Sequence, residues 1–110
     1  MGDRPDEPER FAVIVTFDLA PGSLLAFLEL VTENARLSKA IEPECLQFDV
    51  LTLESGADSV VLYEVYADAA AFTHHLSLPH FASFDAASRP HVTSKAVTRL
   101  KVLRSSPAVV

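Results

Sequence analysis

Four polar side chains occupy positions where the surrounding pattern predicts burial: Asn34, Glu64, His75 and His80. Asn34 falls on the apolar face of a predicted helix, because residues three, four and seven apart share one side of a 3.6-residue helix. Glu64 interrupts a strand-like apolar run, and His75 lies among the apolar side chains of a second predicted helix. His80 follows after a proline break. These four residues are the candidates for chemistry.

Each of these side chain types has a known use when it is buried. An unpaired buried amide costs about 1 to 3 kcal/mol, so Asn34 needs a specific partner. Burial raises the pKa of a carboxyl such as Glu64 toward neutrality, where it can act as an acid or a base. Imidazole is the side chain best suited to proton transfer at cellular pH. The set therefore predicts proton-transfer chemistry in an enclosed pocket.

A structural interpretation stays open for each candidate. Asn34 could tie its helix to the sheet, and Glu64 could form an ion pair with Arg99 or Lys101 on the last predicted strand. A histidine such as His75 on an apolar face is often a core residue whose hydrogen bonds are satisfied. Because two histidines bracket a proline break, we favour a functional role for them.

Motif spacing gives no support to metal or nucleotide sites. His75 and His80 are five residues apart across Pro79, no His-x-x-x-His pair faces a carboxylate, and the chain has one cysteine. The Gly-rich signatures GxGxxG and GxxxxGK[ST] are absent, and so is the Gly-x-Ser-x-Gly elbow of hydrolases. We expect no metal site.

Composition indicates one small domain. The chain has 110 residues, 49% of them hydrophobic, and a net charge of −6, which fits one modest core and argues against nucleic acid or an anionic membrane as a partner. One cysteine excludes an intrachain disulfide, so a cytoplasmic location is the default. We expect a disordered lead-in over 1–10, a single domain over 11–104 and a C-terminal tail over 105–110.

The elements that position the candidates follow from periodicity and turn signals. Strands are predicted over 11–19, 45–53, 59–66 and 91–103, with a hairpin turn at 55–58. One helix begins after Ser23 as N-cap and ends near Ile41, and a second, capped by Asp68, is followed by a helical piece that starts at Pro79. The predicted fold class is α+β, a ferredoxin-like βαββαβ arrangement with an antiparallel four-stranded sheet and helices on one face.

Two strands lack the alternation expected of a sheet with one face in water. The runs 11–15 and 60–66 are apolar on both sides, apart from Glu64. Two helices can cover only one face, so the simplest cover for the other face is the same sheet of a second subunit. The sequence therefore predicts a homodimer.

With these positions identified, the sequence resembles the antibiotic biosynthesis monooxygenase family, in its quinol-monooxygenase-like branch, from about residue 11 to residue 100. The resemblance is carried by several motifs in order: Phe17 with Ala20-Pro21-Gly22, Phe27-Leu28, residues 33–38 (ENARLS), 42–50 (EPECLQFDV) and 62–66 (LYEVY), Ala71-Phe72, His75-Leu76 and Pro79-His80-Phe81. Glu44 and Leu78 depart from the family pattern, which usually has Gly and often Thr there.

The resemblance implies a dimeric α+β barrel that uses no metal, flavin or haem and oxidises small electron-rich aromatic compounds, such as quinols or anthrones, with molecular oxygen. In that reaction a base removes a proton and a dry pocket protects the intermediate. Glu64 and His75 are then the candidates for proton transfer, Asn34 for binding a substrate oxygen, and His80 for supporting either role. The predicted apolar walls are Phe17, Tyr66, Phe81 and Phe84.

Three other functions stay open. The same site could isomerise a small phosphorylated ketone, although Arg36 and Lys39 are the only cations that the sequence places near it. A non-enzymatic dimeric binding module would need no catalytic groups. Haem degradation is disfavoured because the relatives that perform it resemble one another in an Asn/Trp/His set and this chain has no tryptophan.

Overall fold

The structure is a computed structural model that describes residues 9–103. Most of the predicted lead-in over 1–10 and all of the predicted tail over 105–110 lie outside the described residues. The single domain predicted over 11–104 stays a prediction, and its last residue lies outside the described part of the chain. All the elements discussed below fall between residues 11 and 101.

The chain folds in the predicted βαββαβ order, with the second helical segment divided in two. The elements are β1 (Phe11–Leu19), α1 (Leu24–Ile41), β2 (Cys45–Thr52), β3 (Ser59–Tyr66), α2 (Ala69–Leu76), α3 (Pro79–Ser88), a 3₁₀ turn (Arg89–His91) and β4 (Val92–Lys101). The strands form one antiparallel sheet in the order β2-β3-β1-β4. This confirms the predicted α+β fold class.

Local signals explain where the helices begin. The side chain of Asp68 accepts a hydrogen bond of 2.8 Å from the backbone N–H of Ala71, which caps α2 as predicted. Pro79 occupies the first turn of α3, where its missing N–H costs nothing. Ser23 differs from the prediction, since its side chain makes no cap and its Oγ lies 3.1 Å from Nδ1 of His91. That contact ties the start of α1 to the turn before β4.

The core lies between α1, α2, α3 and one face of the sheet. Phe17 of β1, Phe27 of α1 and Phe84 of α3 pack on one another, with ring centroids 4.8 to 6.1 Å apart. Val31 is fully buried beside them. Three elements that are distant in sequence therefore share one aromatic cluster, which fixes α1 and α3 relative to the sheet.

The edge strand β4 is covered less well than its neighbours. Lys95, Val97 and Arg99 pair with inward-facing residues of β1, so they point to the side of the sheet that carries the helices. All three are nevertheless exposed. The helical layer thus leaves one long side of its interface with the sheet open.

The opposite face of the sheet has no helix over it. Ile14, Val61 and Tyr63 are half-buried there, while Leu51 and Leu100 are 46% and 39% exposed. The apolar character that the sequence predicted for both faces is present, and a single chain covers only one of them. Within residues 9–103, no helix is long and apolar enough to cross a membrane.

Replacing Phe27 by Ala should destabilise the fold, because the ring is completely buried and its loss leaves a cavity among the other phenylalanines. We expect a loss of about 3 to 5 kcal/mol in the free energy of unfolding. Leu25→Ala is the matched control on the same helix, since Leu25 is 77% exposed and should change stability by less than about 0.5 kcal/mol. Urea denaturation measures both, and equal effects would contradict this account of the core.

Candidate active site

A cavity of about 370 Å³ lies between the helices and the sheet, and it opens along β4. Three of the polar residues singled out from the sequence line it: Asn34 from α1, Glu64 from β3 and His75 from α2. Phe17, Phe81 and Phe84 also line it, as predicted for apolar walls. The fold therefore brings these residues from five elements to one largely apolar space that is open on the β4 side.

The amide of Asn34 is only 3% exposed. Its Oδ1 is buried, and no described residue donates a hydrogen bond to it. Leaving such an acceptor unpaired costs about 1 to 3 kcal/mol, which favours a turn of the amide toward a donor. The alternative in which this amide ties α1 to the sheet through its oxygen does not fit this geometry.

The carboxyl of Glu64 is buried on the cavity floor and accepts a hydrogen bond of 2.6 Å from the hydroxyl of Tyr66. Burial raises the pKa of Glu64 to about 7, and the hydrogen bond from Tyr66 opposes that rise. Near neutral pH the group is therefore present both as a carboxylic acid and as a carboxylate. It can give or take a proton in the same range of pH.

Tyr66 has a different position from the predicted one. Its side chain is completely buried and is not part of the cavity wall. Tyr66 lies two residues after Glu64 on the same face of β3, so its hydroxyl reaches the Glu64 carboxyl. Burial, together with the neighbouring negative charge of Glu64, raises the pKa of the phenol. Tyr66 thus stays a hydrogen-bond donor to Glu64 and does not form a wall.

The ion pair considered for Glu64 does not form among the described residues. The guanidinium of Arg99 lies over the rings of Phe11 and Phe72, at 4.9 and 5.3 Å from their centroids. Lys101 lies 4.0 Å from a carboxylate oxygen of Glu9. Without such an ion pair, burial dominates and the pKa of Glu64 rises, although the hydrogen bond from Tyr66 opposes the rise.

His75 forms a buried pair with Glu42. Nδ1 of His75 lies 2.8 Å from Oε2 of Glu42, and both side chains are almost fully buried. The carboxylate favours the tautomer in which Nδ1–H donates, which leaves Nε2 with a free lone pair. Burial lowers the pKa of His75, and the hydrogen bond and charge of Glu42 oppose that effect. His75 is therefore suited to accept a proton at Nε2.

Glu42 is the residue of the candidate site that the sequence analysis missed. It caps the C-terminal end of α1, just before Pro43, where neither helical nor strand periodicity applies. Besides His75, its Oε2 lies 2.5 Å from Nε2 of His80. His80 does not line the 370 Å³ cavity; it faces a second hollow of about 670 Å³ between α1 and α3. Glu42 thus links two imidazoles that face different spaces.

These three residues also correct the spacing argument against a metal site. The break at Leu78 and Pro79 ends α2 and starts α3, so two histidines five residues apart converge on one carboxylate. In the described part of the chain, Glu42, His75 and His80 form the one group whose potential ligand atoms lie within 4.8 Å of one another. Oε2 already lies at hydrogen-bond distance from both nitrogens, so an ion could enter only if this oxygen moved.

The cations near the cavity are not those expected from the sequence. Lys95 and Arg99 line it from β4. Arg36 instead pairs with Glu33 on the surface of α1, at 2.7 Å. Lys39 donates to backbone carbonyl groups at the start of β2. The prediction placed the wrong pair because it considered α1, whereas the open side of the cavity runs along β4.

Comparisons with known proteins agree with this fold. The sequence model of the family named antibiotic biosynthesis monooxygenase (ABM) matches residues 10–87. None of the curated protein sequences matches the chain.

Many solved structures resemble the chain. A candidate antibiotic biosynthesis monooxygenase from Caulobacter crescentus has a TM-score of 0.83 at 22% identity, over 88% of this chain and 92% of that one. Another candidate antibiotic biosynthesis monooxygenase, from Nitrosomonas europaea, has a TM-score of 0.82 at 20% identity, over 88% of this chain and 93% of that one. Rv0793 from Mycobacterium tuberculosis has a TM-score of 0.81 at 26% identity, over 89% of this chain and 99% of that one. These likenesses confirm the fold.

Replacing Glu64 by Gln tests the buried acid. The pKa of Glu64 is about 7 in the fold against an ordinary value of 4.5, so the folded state binds this proton more tightly than the unfolded state. The wild type should lose stability as the pH rises from about 4.5 to about 7, and Glu64→Gln should not lose this contribution. Relative to the wild type, the variant should gain roughly 3 kcal/mol between about pH 4 and about pH 8.

Urea denaturation across this pH range measures the difference in stability. Tyr66→Phe is the companion variant: it removes the hydrogen bond that favours the carboxylate, so it should move the pKa of Glu64 above 7. Carbon-13 NMR of the labelled carboxyl reports this shift. A stability difference between the wild type and Glu64→Gln that does not change with pH would contradict the assignment.

Proposed function

Because the chain belongs to the antibiotic biosynthesis monooxygenase family, we propose that it is a monooxygenase that oxidises a small electron-rich aromatic substrate, of quinol or anthrone type, with molecular oxygen. We also propose that the reaction needs no metal, flavin or haem cofactor. The substrate would lie in the 370 Å³ cavity between the helices and the sheet.

One observation carries the proposal: a buried base and a buried acid face the same apolar cavity. His75, paired with Glu42, supports proton removal at Nε2. Glu64, whose pKa is about 7, supports proton donation. Proton transfer by positioned side chains accelerates reactions typically by 10² to 10⁴ when the pKa values lie near the working pH. Oxidation of a quinol or anthrone by oxygen requires this kind of proton removal before electron transfer.

For an anthrone-type substrate the steps balance as follows. His75 takes a proton from the reactive C–H group, and the carbanion transfers one electron to oxygen. The substrate radical and superoxide combine to form a C–O bond, and protonation gives a hydroperoxide. Loss of the second hydrogen and cleavage of the O–O bond release water and leave a carbonyl group. One oxygen atom enters the product and the other enters water.

The remaining groups bind and shield the substrate in this proposal. Asn34 lines the cavity, and a turn of its side chain would bring the unpaired Oδ1 to a substrate hydroxyl that donates to it. Phe17, Phe81 and Phe84 supply flat apolar surface for an aromatic ring and keep water from the intermediate. His80 acts through Glu42, because it is hydrogen-bonded to that carboxylate and lies outside the cavity.

Oxygen uptake with a panel of quinols and anthrones tests this function. Replacing His75 by Ala removes the base and should lower kcat/KM by about 100-fold or more. Asn34→Ala should also reduce turnover strongly, mainly through substrate binding. His74→Ala is the matched control, because His74 is the neighbouring, exposed histidine of α2 and should leave the rate unchanged. Equal rates in wild type and His75→Ala would remove this residue from the reaction.

Isomerisation of a small phosphorylated ketone is the second candidate reaction for this cavity. Two proton-transfer groups on one cavity suffice for such a reaction, and Lys95 and Arg99 line the same cavity. Oxygen distinguishes the two reactions. Substrate turnover that continues at the same rate without oxygen would favour isomerisation and overturn the monooxygenase assignment. A non-enzymatic binding module would bind ligands without turning over any compound of either panel.

The proposal also includes a homodimer formed by the helix-free face of the sheet. That face carries exposed Leu51 and Leu100 beside the half-buried Val61 and Tyr63. Contiguous exposed apolar side chains of this kind are typical of an interface between subunits. The same face of a second chain is the simplest complementary surface.

Sedimentation equilibrium tests the dimer. The wild type should sediment as a dimer at micromolar concentrations, and Val61→Glu should shift it to a monomer, because the carboxylate would be buried without a partner. Leu25→Glu is the control, since Leu25 is exposed on α1, away from the sheet, and should leave the dimer intact. A monomeric wild type at these concentrations would overturn the proposed interface.

A further inference from the structure

The open side of the cavity presents two cations without acidic partners in the described part of the chain. Lys95 and Arg99 are four residues apart on β4, and Val97 lies between them on the same face. Their Cα atoms are about 13 Å apart along the strand. Neither forms an ion pair within residues 9–103. On this face of β4 an apolar side chain therefore lies between two cations.

Aromatic rings hold both cations against the cavity. The Nζ of Lys95 lies 5.5 Å from the ring centroid of Phe17 and 5.8 Å from that of Phe81. Arg99 lies over Phe11 and Phe72 in the same way. Contacts between a cation and a ring at these distances are attractive, so the two side chains are kept beside the cavity. A cation placed on a ring still has unused hydrogen-bond donors.

The acidic groups that face the cavity neutralise these two cations only in part. Asp85 is paired with Arg89 at 2.7 Å, and Glu64 is protonated in part because its pKa is about 7. His75 adds no opposing charge in its neutral form. The cavity therefore has a surplus of positive charge, although the chain as a whole carries a net charge of −6. Such a local surplus attracts an anion.

We propose that Lys95 and Arg99 form an anion-binding subsite, so that the substrate of this cavity is an aromatic or other small compound carrying a carboxylate or a phosphate. The apolar part of the substrate lies over Val97 and the phenylalanines, and its oxyanion accepts hydrogen bonds from the cations at the open side. The inference rests on the proposed function only in taking this cavity as the substrate site.

A matched series of naphthalene probes tests the subsite by binding alone: 2-naphthol, 2-naphthoate, 2-naphthyl phosphate and 2-naphthylmethylammonium. Their fluorescence can be followed directly because the protein has no tryptophan. Charge-assisted hydrogen bonds should make at least one of the two anions bind about tenfold more tightly than the neutral alcohol. The ammonium compound should bind most weakly. Added salt should weaken the anion and leave 2-naphthol nearly unchanged.

Variants of Lys95 and Arg99 test whether these two cations cause the tighter binding of anions. Lys95→Gln and Arg99→Gln should each reduce it, and the double variant should abolish it while 2-naphthol still binds. Lys101→Gln is the matched control, because Lys101 lies on the same strand and does not line the cavity; it should keep the full preference. Anions that bind no more tightly than 2-naphthol, or do not bind at all, overturn the inference, as does a preference that persists in the double variant.

Comparing 2-naphthoate with 2-naphthyl phosphate distinguishes a carboxylate substrate from a phosphate substrate. Tighter binding of the carboxylate indicates an aromatic acid, and tighter binding of the phosphate indicates a phosphate ester. Oxygen uptake is measured independently on the same preparations. A loss of uptake in His75→Ala without any anion preference leaves the proposed function standing and removes the subsite. An anion preference without oxygen uptake leaves the subsite and removes the monooxygenase.

Discussion

One buried carboxylate links the three helices of this protein. Oε2 of Glu42, at the end of α1, lies within hydrogen-bond distance of His75 on α2 and His80 on α3. A buried carboxylate is stable only when its oxygens are paired, so the fold of the three helices and the charge of Glu42 depend on each other. The same contact sets the orientation and the tautomer of His75. The packing of the helices and the orientation of His75 thus depend on one interaction.

Burial acts on the two cavity groups in opposite directions and gives them complementary states. It lowers the pKa of His75 and raises the pKa of Glu64 to about 7, because in each case the neutral form is favoured away from water. Near neutral pH the imidazole can accept a proton while the carboxyl can donate one. Neither group needs a charged partner in the cavity for this role, although Glu42 limits how far the pKa of His75 falls.

The sequence was sufficient for the fold and for part of the site, for reasons that differ between residues. Helical periodicity indicated that Asn34 is buried, and strand alternation indicated the same for Glu64, since both signals are local. Glu42 gave no such signal because it follows the last turn of α1. Its importance depends on where α2 and α3 pack, which local patterns do not specify. The position of Lys95 beside the cavity could not be predicted for a similar reason, because strand composition does not tell which edge the helices leave uncovered.

The open edge at β4 connects the charge of the cavity with its access. Because the helices cover β1 and β3 more fully than β4, the cavity opens where Lys95 and Arg99 stand. A ligand that enters there meets the cations first and the buried His75 last, so an ionic end can stay near water while an apolar end is desolvated. This order favours a compound with one ionic end and one aromatic end, since burying the ionic end at His75 and Glu64 would be costly.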